Sequence, residues 1–536
     1  MALPNLSTTK SRRDGACDSI VLAVYAPFGT DMTLSAFPGS KPRPIEQHPL
    51  VKHLREVAEL GIHVSALVDL ADDDSYLIEI SADACSQVDI HSAWKQQMNA
   101  PQALAGFLRR THHRFPSSAI VLALEGHGAG YLPQIDGAAI TTGSTTADGQ
   151  IDWKVTRGDL QPFDANTGAP ILAVAAYPEL PAESPDAAAL ALPLSTWALG
   201  HALQRATRKD GVPRPAVIHF NNCFNMSMEV LHTVAPYADY ATGYANYNFF
   251  TSGKSYPAVF KRLRDAKKPV SAEQLAKWFA LENGRLLHAK KNHPTVGATI
   301  ELQRMSDVRD ALFKLAAELT AALKSAGGAG VRARIKAAVL DAQQFDTGQT
   351  FALEVPDQLT DLVDFAAQLK LKFANGTIHD LADKLMTAVG KVWQYGDYDR
   401  PHVDENQIWD FRNERLGINI LFPNPGLDDQ WDWRSPYYLK NLRETDKAPA
   451  QPHAIELLRD PSGRCAWVKF LLAYYDDGSA PKPISLVRAK KPLFPPYDKA
   501  FKPKLPHPDP KDPCGSDPQS PGQTAPTDQK GPAAGT

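Results

Sequence analysis

Two residues in this sequence have the type and the setting for nucleophilic chemistry. Cys223 follows a short apolar run, Ala216 to Phe220, and a polar turn, Asn221-Asn222; a helical pattern begins at Asn225. His127 follows a second apolar run, Ala119 to Leu124, and stands in the turn Glu125-Gly126-His127-Gly128-Ala129-Gly130. Strand, tight turn, helix is an arrangement that presents a side chain at the carboxyl edge of a parallel sheet. A thiol at the mouth of a helix has its thiolate favoured by the helix dipole. An imidazole at a neighbouring strand end is placed to take the thiol proton. Taken singly, a cysteine is more often a small buried hydrophobe, and a histidine among glycines a polar turn residue. The pairing of two strand ends is what points to a nucleophile and a base.

The elements needed to hold such a pair are readable on both sides of it. Ser19 to Tyr25 and Ile62 to Leu70 read as buried strands, with a helix between them over His48 to Leu60 that Gly61 stops. Tyr76 to Ile80 reads as a hairpin strand, Pro101 to Phe115 and Leu194 to Arg208 as helices, and Tyr240 to Ala245 as the strand after Cys223. Alternation at this spacing predicts a parallel α/β sheet covered on both faces. Residues 131–193 are rich in Gly, Thr, Ala, Asp and Pro and lose the pattern, which marks a long loop or insertion. Residues 271–395 are mainly helical in pattern, Gly417 to Phe422 returns to strand character, and Cys465 to Tyr475 reads as a closing helix. The expected organisation is a flexible arm over 1–18, an α/β domain over 19–270, a helical region over 271–476 that completes it, and a Pro-rich disordered tail over 477–536.

Composition removes several classes of function. The 536 residues carry 57 Lys and Arg against 60 Asp and Glu, a net charge of -3. No basic field attracts nucleic acid or an anionic membrane. The five cysteines, at 17, 85, 223, 465 and 514, form neither a disulfide framework nor a paired metal-ligand spacing. No apolar run reaches the roughly 18 residues that span a bilayer. No secretory leader is readable either, so the expectation is a cytoplasmic protein, non-Sec secretion leaving no mark of this kind. Gly253-Lys254-Ser255 lacks the glycine that a phosphate loop needs at 248, which is Asn. Gly126, Gly128 and Gly130 follow a strand, but Tyr131-Leu132-Pro133 interrupts the helix that a dinucleotide site requires. No GxSxG elbow occurs.

These residues are similar to a family, the clostripain-like cysteine peptidases within the caspase-like clan. His127-Gly128-Ala129-Gly130-Tyr131 matches the family's His-Gly-x-Gly-aromatic turn, and Asn221-Asn222-Cys223 with Phe224-Asn225-Met226 and Glu229 stands where the family has Asp-Ala-Cys, a turn and a helix. Tyr237-Ala238-Asp239-Tyr240, Gly297 to Leu302, Leu362 to Phe365, Gly417 to Pro423 and Trp467 to Tyr475 resemble later family segments in the right order. The resemblance covers about residues 19 to 476. It implies a caspase-haemoglobinase-like α/β fold and a cysteine endopeptidase acting on proteins or peptides through a thioester acyl-enzyme. Cys223 would be the nucleophile and His127 its base, with Gly128 and Cys223 N–H groups as the oxyanion hole. Asn221, Asn222, Tyr244 and Asn246 would contact substrate. The chemistry needs no cofactor; calcium activates some relatives, and Asp72-Asp73-Asp74 is the acidic turn to consider for it.

Three departures carry consequences. The family's acidic residue two before the cysteine is Asn221, the residue before the histidine is Gly126 rather than Asp, and the segment between histidine and cysteine is long. The length suggests self-cleavage in 131–193, with Lys154 and Arg157 as the basic positions to cut. An amide at 221, with no acidic residue in Ala241 to Phe260, predicts a weakened preference for Arg or Lys before the scissile bond, unless a carboxylate elsewhere reaches the pocket. Two other readings fit the same residues: a catalytically inactive pseudopeptidase that binds peptides or proteins, and an acyl transferase that ligates them.

Overall fold

Alternating buried positions set the core of the molecule, a nine-stranded sheet between two layers of helices. The computed structural model describes residues 19–28, 44–70, 75–82, 88–91, 98, 101–126, 128, 130–131, 140–145, 151–155, 194–246, 248, 251–288, 296–345, 359–398, 417–422 and 465–475. His127, the Asp72–Asp74 turn, Arg157, the arm, the tail, and Cys17, Cys85 and Cys514 lie outside them.

The strands are β1 (Ser19–Pro27), β2 (His63–Asp69), β3 (Ser75–Ile80), β4 (Val88–His91), β5 (Ser118–Glu125), β6 (Ile140–Thr145), β7 (Ile151–Val155), β8 (Val217–Asn221), β9 (Tyr240–Tyr244), β10 (Val296–Glu301), β11 (Leu359–Asp361), β12 (Trp393–Tyr398) and β13 (Asn419–Leu421). The α-helices are α1 (Pro49–Glu59), α2 (Pro101–Arg114), α3 (Thr196–Gln204), α4 (Met228–Val234), α5 (Tyr256–Asp265), α6 (Ala272–His288), α7 (Met305–Leu323), α8 (Gly328–Asp341), α9 (Leu362–Lys372), α10 (Thr377–Val392) and α11 (Ala466–Tyr475). The sheet runs β12-β10-β9-β8-β5-β1-β2-β3-β4. The central strands β9, β8, β5, β1 and β2 are parallel; β10, β12, β3 and β4 join antiparallel at the two edges. This is the α/β architecture of a caspase-haemoglobinase-like fold, parallel at its centre rather than throughout.

The period of two along each strand sorts side chains to the two faces. In β5, Ile120, Leu122 and Leu124 enter one core with Ile218 and Phe220 of β8, beneath α2, α3, α4 and α7. Val121, Ala123 and Val217 enter the other, beneath α1, α5 and α6. The helices follow the expected apolar spacing. In α1, Leu50, Val51, Leu54 and Val57 are buried, Pro49 opens the first turn, and His48 Nδ1 accepts the Leu50 N–H at 3.2 Å. Gly61, at φ +88°, ends it. The first core continues without a break into α8, α9, α10 and α11, closed by Phe365, Phe422, Trp467 and Phe470, whose rings meet edge-to-face or tilted.

Three local departures from the sequence reading have plain causes. Within the segment read as patternless, β6 and β7 pair antiparallel with Thr142 opposite Trp153, their Ile, Thr and Val residues favouring extended backbone. Trp393–Tyr398 is an edge strand that the preceding helix pattern obscures. The helix after Cys223 starts at Met228, with Ser227 Oγ accepting the Val230 N–H at 3.1 Å as its N-cap. Among the described residues no helix is long and apolar enough to cross a membrane.

Candidate active site

Parallel pairing of β5 and β8 places Glu125 directly opposite Asn221, so the two strands end side by side and their following turns meet. The contact is tight. A methyl group on Gly128 would lie 2.2 Å from the Cys223 carbonyl oxygen, 3.0 Å from Asn225 Nδ2 and 3.1 Å from Asn222 Cγ. Only glycine lets these backbones approach so closely. The turn carrying Cys223 is itself strained: Phe224 is fully buried at φ +59°, a conformation uncommon for a residue with a side chain.

That strain is held from both sides. The Phe224 N–H donates to the Asn246 carbonyl at 2.9 Å and the Met226 N–H to the Tyr244 carbonyl at 3.1 Å. From β13, Asn419 Nδ2 donates to the carbonyls of Phe224 and Ala245 at 2.9 and 2.8 Å, and its N–H donates to the Met226 carbonyl at 2.9 Å. Glu229 Oε1 in turn accepts the Leu421 N–H at 3.1 Å. A remote strand thus locks the cysteine turn.

Cys223 is partly exposed. Its Sγ lies against Asn248, accepting the backbone N–H at 3.3 Å and donating to the carbonyl at 3.4 Å. Burial pushes the thiol up to about 11, with the Asn248 N–H pulling the other way. The expected help from a helix dipole is absent, because α4 begins five residues later and the dipole acts only over its first turn. In this state the sulfur is a thiol that needs a base.

Beneath Cys223 lies a buried polar network that sequence reasoning did not assemble. Asn248 Nδ2 donates to Asn221 Oδ1 at 2.9 Å, and Asn221 Nδ2 donates to Glu125 Oε1 at 2.9 Å. Tyr256 of α5 donates to the same Glu125 oxygen. Asn283 of α6 donates to the Tyr244 hydroxyl at 2.6 Å and to Asn248 Oδ1 at 3.3 Å. Desolvation raises the Glu125 carboxyl from 4.5 to about 7 against the lowering bonds from Tyr256 and Asn221. Glu125 is at the end of an apolar strand and reads as a turn residue; its partner is 96 positions away, and only register brings them together.

The structure therefore brings together Gly128, Asn221, Asn222 and Cys223 among the residues singled out from sequence. It assigns Tyr244 and Asn246 a different part from the expected contact with substrate. Both are buried, Tyr244 accepting from Asn283 and Asn246 Oδ1 accepting the Val296 N–H at 2.7 Å, and both brace the cysteine turn through their carbonyls. Asn221 is likewise covered, at 2% exposure, and Asn222 Oδ1 accepts from Asn225 Nδ2 at 2.8 Å. Lys154 falls within β7, paired with Thr141, rather than in an irregular stretch. Among the described residues no cluster of His, Cys, Asp and Glu is arranged to hold a metal ion.

Fold and site define a class: a caspase-like α/β sandwich with a thiol in a strand-end turn. No family model and no curated protein matches the chain. Among solved structures, the chain is similar to a secreted C11 cysteine protease of Bacteroides thetaiotaomicron, "iotapain", at 9% identity and a TM-score of 0.48, over 75% of this chain and 93% of that one. It is also similar to an inactive zymogen C11 protease of Parabacteroides distasonis at 13% identity and a TM-score of 0.46, over 78% and 96%. A clostripain from Bacteroides thetaiotaomicron in complex with a peptide inhibitor aligns over 42% of this chain and 85% of its own, at 11% identity and a TM-score of 0.30.

Proposed function

We propose that the chain is a clostripain-like cysteine endopeptidase. The observation that supports the reading is the packing of Gly128, the residue that follows His127 in sequence, on the Cys223 carbonyl. His127 takes the Cys223 proton as Sγ attacks the scissile carbonyl carbon. The tetrahedral oxyanion is met by N–H groups of Gly128 and Cys223, a contribution of about 3 kcal/mol per donor. Collapse expels the amine, which leaves with the proton from His127, and forms a thioester. Water, deprotonated by His127, then hydrolyses the thioester to the carboxylic acid and returns Cys223 as the thiol. None of these steps calls for a cofactor.

The test is mass-spectrometric mapping of peptide cleavage by wild type, Cys223→Ala and His127→Ala, each checked for unchanged melting. Cleavage by wild type alone supports the peptidase. Equal turnover by either variant ends it. The raising of the thiol to about 11 favours a second reading, a pseudopeptidase that binds peptides in the same cleft. Selective labelling of Cys223 by a peptidyl acyloxymethyl ketone argues against that reading, since the reagent requires an activated thiolate.

A further inference from the structure

A polar side chain stands where α6 should present an apolar one. The helix buries Ala272, Leu275, Ala276, Phe279 and Ala280, and the same spacing brings Asn283 to the core side, with no exposed surface. A buried amide at such a position is costly unless its hydrogen bonds are met. They are met by one end of the candidate site. Asn283 Nδ2 has two hydrogens, and its nearest acceptors are the Tyr244 hydroxyl at 2.6 Å and Asn248 Oδ1 at 3.3 Å. Its Oδ1 accepts from the Thr251 hydroxyl at 3.2 Å. Asn221 Oδ1, 3.5 Å from Nδ2, takes a shorter bond of 2.9 Å from the Asn248 amide.

Asn248 links this helix to the thiol. Cys223 Sγ accepts the Asn248 N–H at 3.3 Å and donates to its carbonyl at 3.4 Å. Among the described residues the Asn248 main chain has no other hydrogen-bond partner, and its side chain is held by Asn221 and Asn283. The place of the N–H against sulfur is therefore set through the side chain. When the thiol proton leaves, the two contacts change in opposite senses. The bond from the N–H to sulfur becomes charge-assisted, and the carbonyl loses its hydrogen. A donor already fixed in place stabilises that charge with no reorganisation as it forms. We propose that Asn283 is a positioning residue of the site: anchored in α6, it holds Asn248 so that the Asn248 N–H stays directed at Sγ as the thiolate forms. The attack that follows rests on the peptidase reading, but the state of the sulfur can be measured without turnover.

The experiment is a double-mutant cycle read at the sulfur. Wild type, Asn283→Ala, Asn248→Ala and the double variant are treated with iodoacetamide from about pH 7 to 9, and labelling of Cys223 is timed by mass spectrometry. Asn283→Ala should label about 10-fold more slowly at each pH, through a smaller thiolate fraction. Truncation opens the site and unfolding exposes the thiol, and either alone would speed labelling, so a slower rate reports the lost contact. Asn248→Ala should slow it as much, and the double variant no further. Glu125, His219, Tyr244 and Tyr256, ionisable side chains packed about these bonds, are present in all four proteins, as is His127, so their titration cancels in the cycle. An unchanged or faster rate in Asn283→Ala, or additive slowing in the double variant, overturns the assignment. Should Asn283→Ala not melt cooperatively, Asn248→Ala decides alone, since it cuts the same bond from the other end. Slower labelling then supports the proposal, and an unchanged or faster rate overturns it. In turnover, Asn283→Ala should lower kcat and kcat/KM alike, by about 10-fold, with KM unchanged. A raised KM at unchanged kcat, the mark of a lost substrate contact, overturns it. Absence of cleavage by wild type, with the labelling cycle intact, sinks the peptidase reading and leaves Asn283 setting the state of the thiol.

Discussion

Two buried acids give this protein a pH dependence whose sign can be worked out. Burial raises Glu125 from 4.5, and Asp361 from 3.8, each to about 7. Both folded-state values lie above the unfolded ones, so the folded chain binds the extra protons. Their stabilising contribution is complete below about pH 4 and is lost as pH rises through 7. The melting temperature should therefore fall between pH 5 and 8. Glu125→Gln, which keeps an acceptor for Asn221 and Tyr256, should remove about half of that fall and stabilise the chain at pH 8 by roughly 2–3 kcal/mol. Calorimetric melts of both proteins at several pH values check this; a variant no more stable than wild type at pH 8 would show that the acid finds a partner. The thiol gives a second expectation. With Cys223 at about 11, iodoacetamide labelling of the resting protein should climb through pH 9 rather than saturate near 7. Cys223 could be picked out from sequence because a polar turn between an apolar run and a helical pattern is local information. Glu125 could not be, because its neighbours are set by strand register across 96 residues.

The strands that could be read from sequence are those buried on both faces, β1, β2, β5, β8 and β9, since continuous apolar runs need no context. Those passed over, β4, β6, β7 and β12 among them, are edge or hairpin strands rich in polar residues, in which the pattern competes with loop signals. The start of α4 was misplaced for a related reason. Asn225, Met226 and Ser227 fit a helical spacing, yet Ser227 bridges to Asn419 in extended backbone, and the helix begins only after it, where its hydroxyl accepts the Val230 N–H. Tertiary pairing overrides local preference there. Short β13 has a consequence out of proportion to its three residues, because Asn419 holds two carbonyls of the cysteine turn and its neighbour. Asn419→Ala leaves both buried acceptors unpaired and should cost roughly 2–4 kcal/mol. Because Phe224 is strained without that brace, activity should fall more than stability predicts; urea unfolding beside kcat/KM separates the two. Gly128→Ala acts from the other side. A methyl 2.2 Å from a backbone oxygen forces the β5 turn away from Cys223, so activity should be abolished while the β5 core residues Leu122 and Leu124 keep the chain folded.

Beyond the parallel centre, the sheet is completed by strands from the carboxyl-terminal half. β10 pairs with β9 from Gly297–Tyr244 to Glu301–Tyr240, and β12 covers β10. One contiguous core passes from Ile120 and Phe220 under the sheet to Leu315, Phe365 and Trp467 in the helices. The brace on the cysteine turn also comes from that half, through Asn419. Site, sheet edge and core therefore depend on both halves at once. A chain ended at residue 270 would expose β9 as an unpaired apolar edge and strip one face of the sheet of α7, α9 and α11, conditions that favour aggregation over folding. The expectation is that this fragment does not give a soluble, cooperatively melting protein. In the whole chain, amides of β1, β5, α7 and α11 should exchange hydrogen with the same opening free energy, since no boundary in the core lets one layer open alone. Native-state exchange read by mass spectrometry across a urea series is the measurement. Protection of β1 and β5 that survives at a urea concentration where α7 and α11 have lost theirs would show two separately folding units and defeat the expectation.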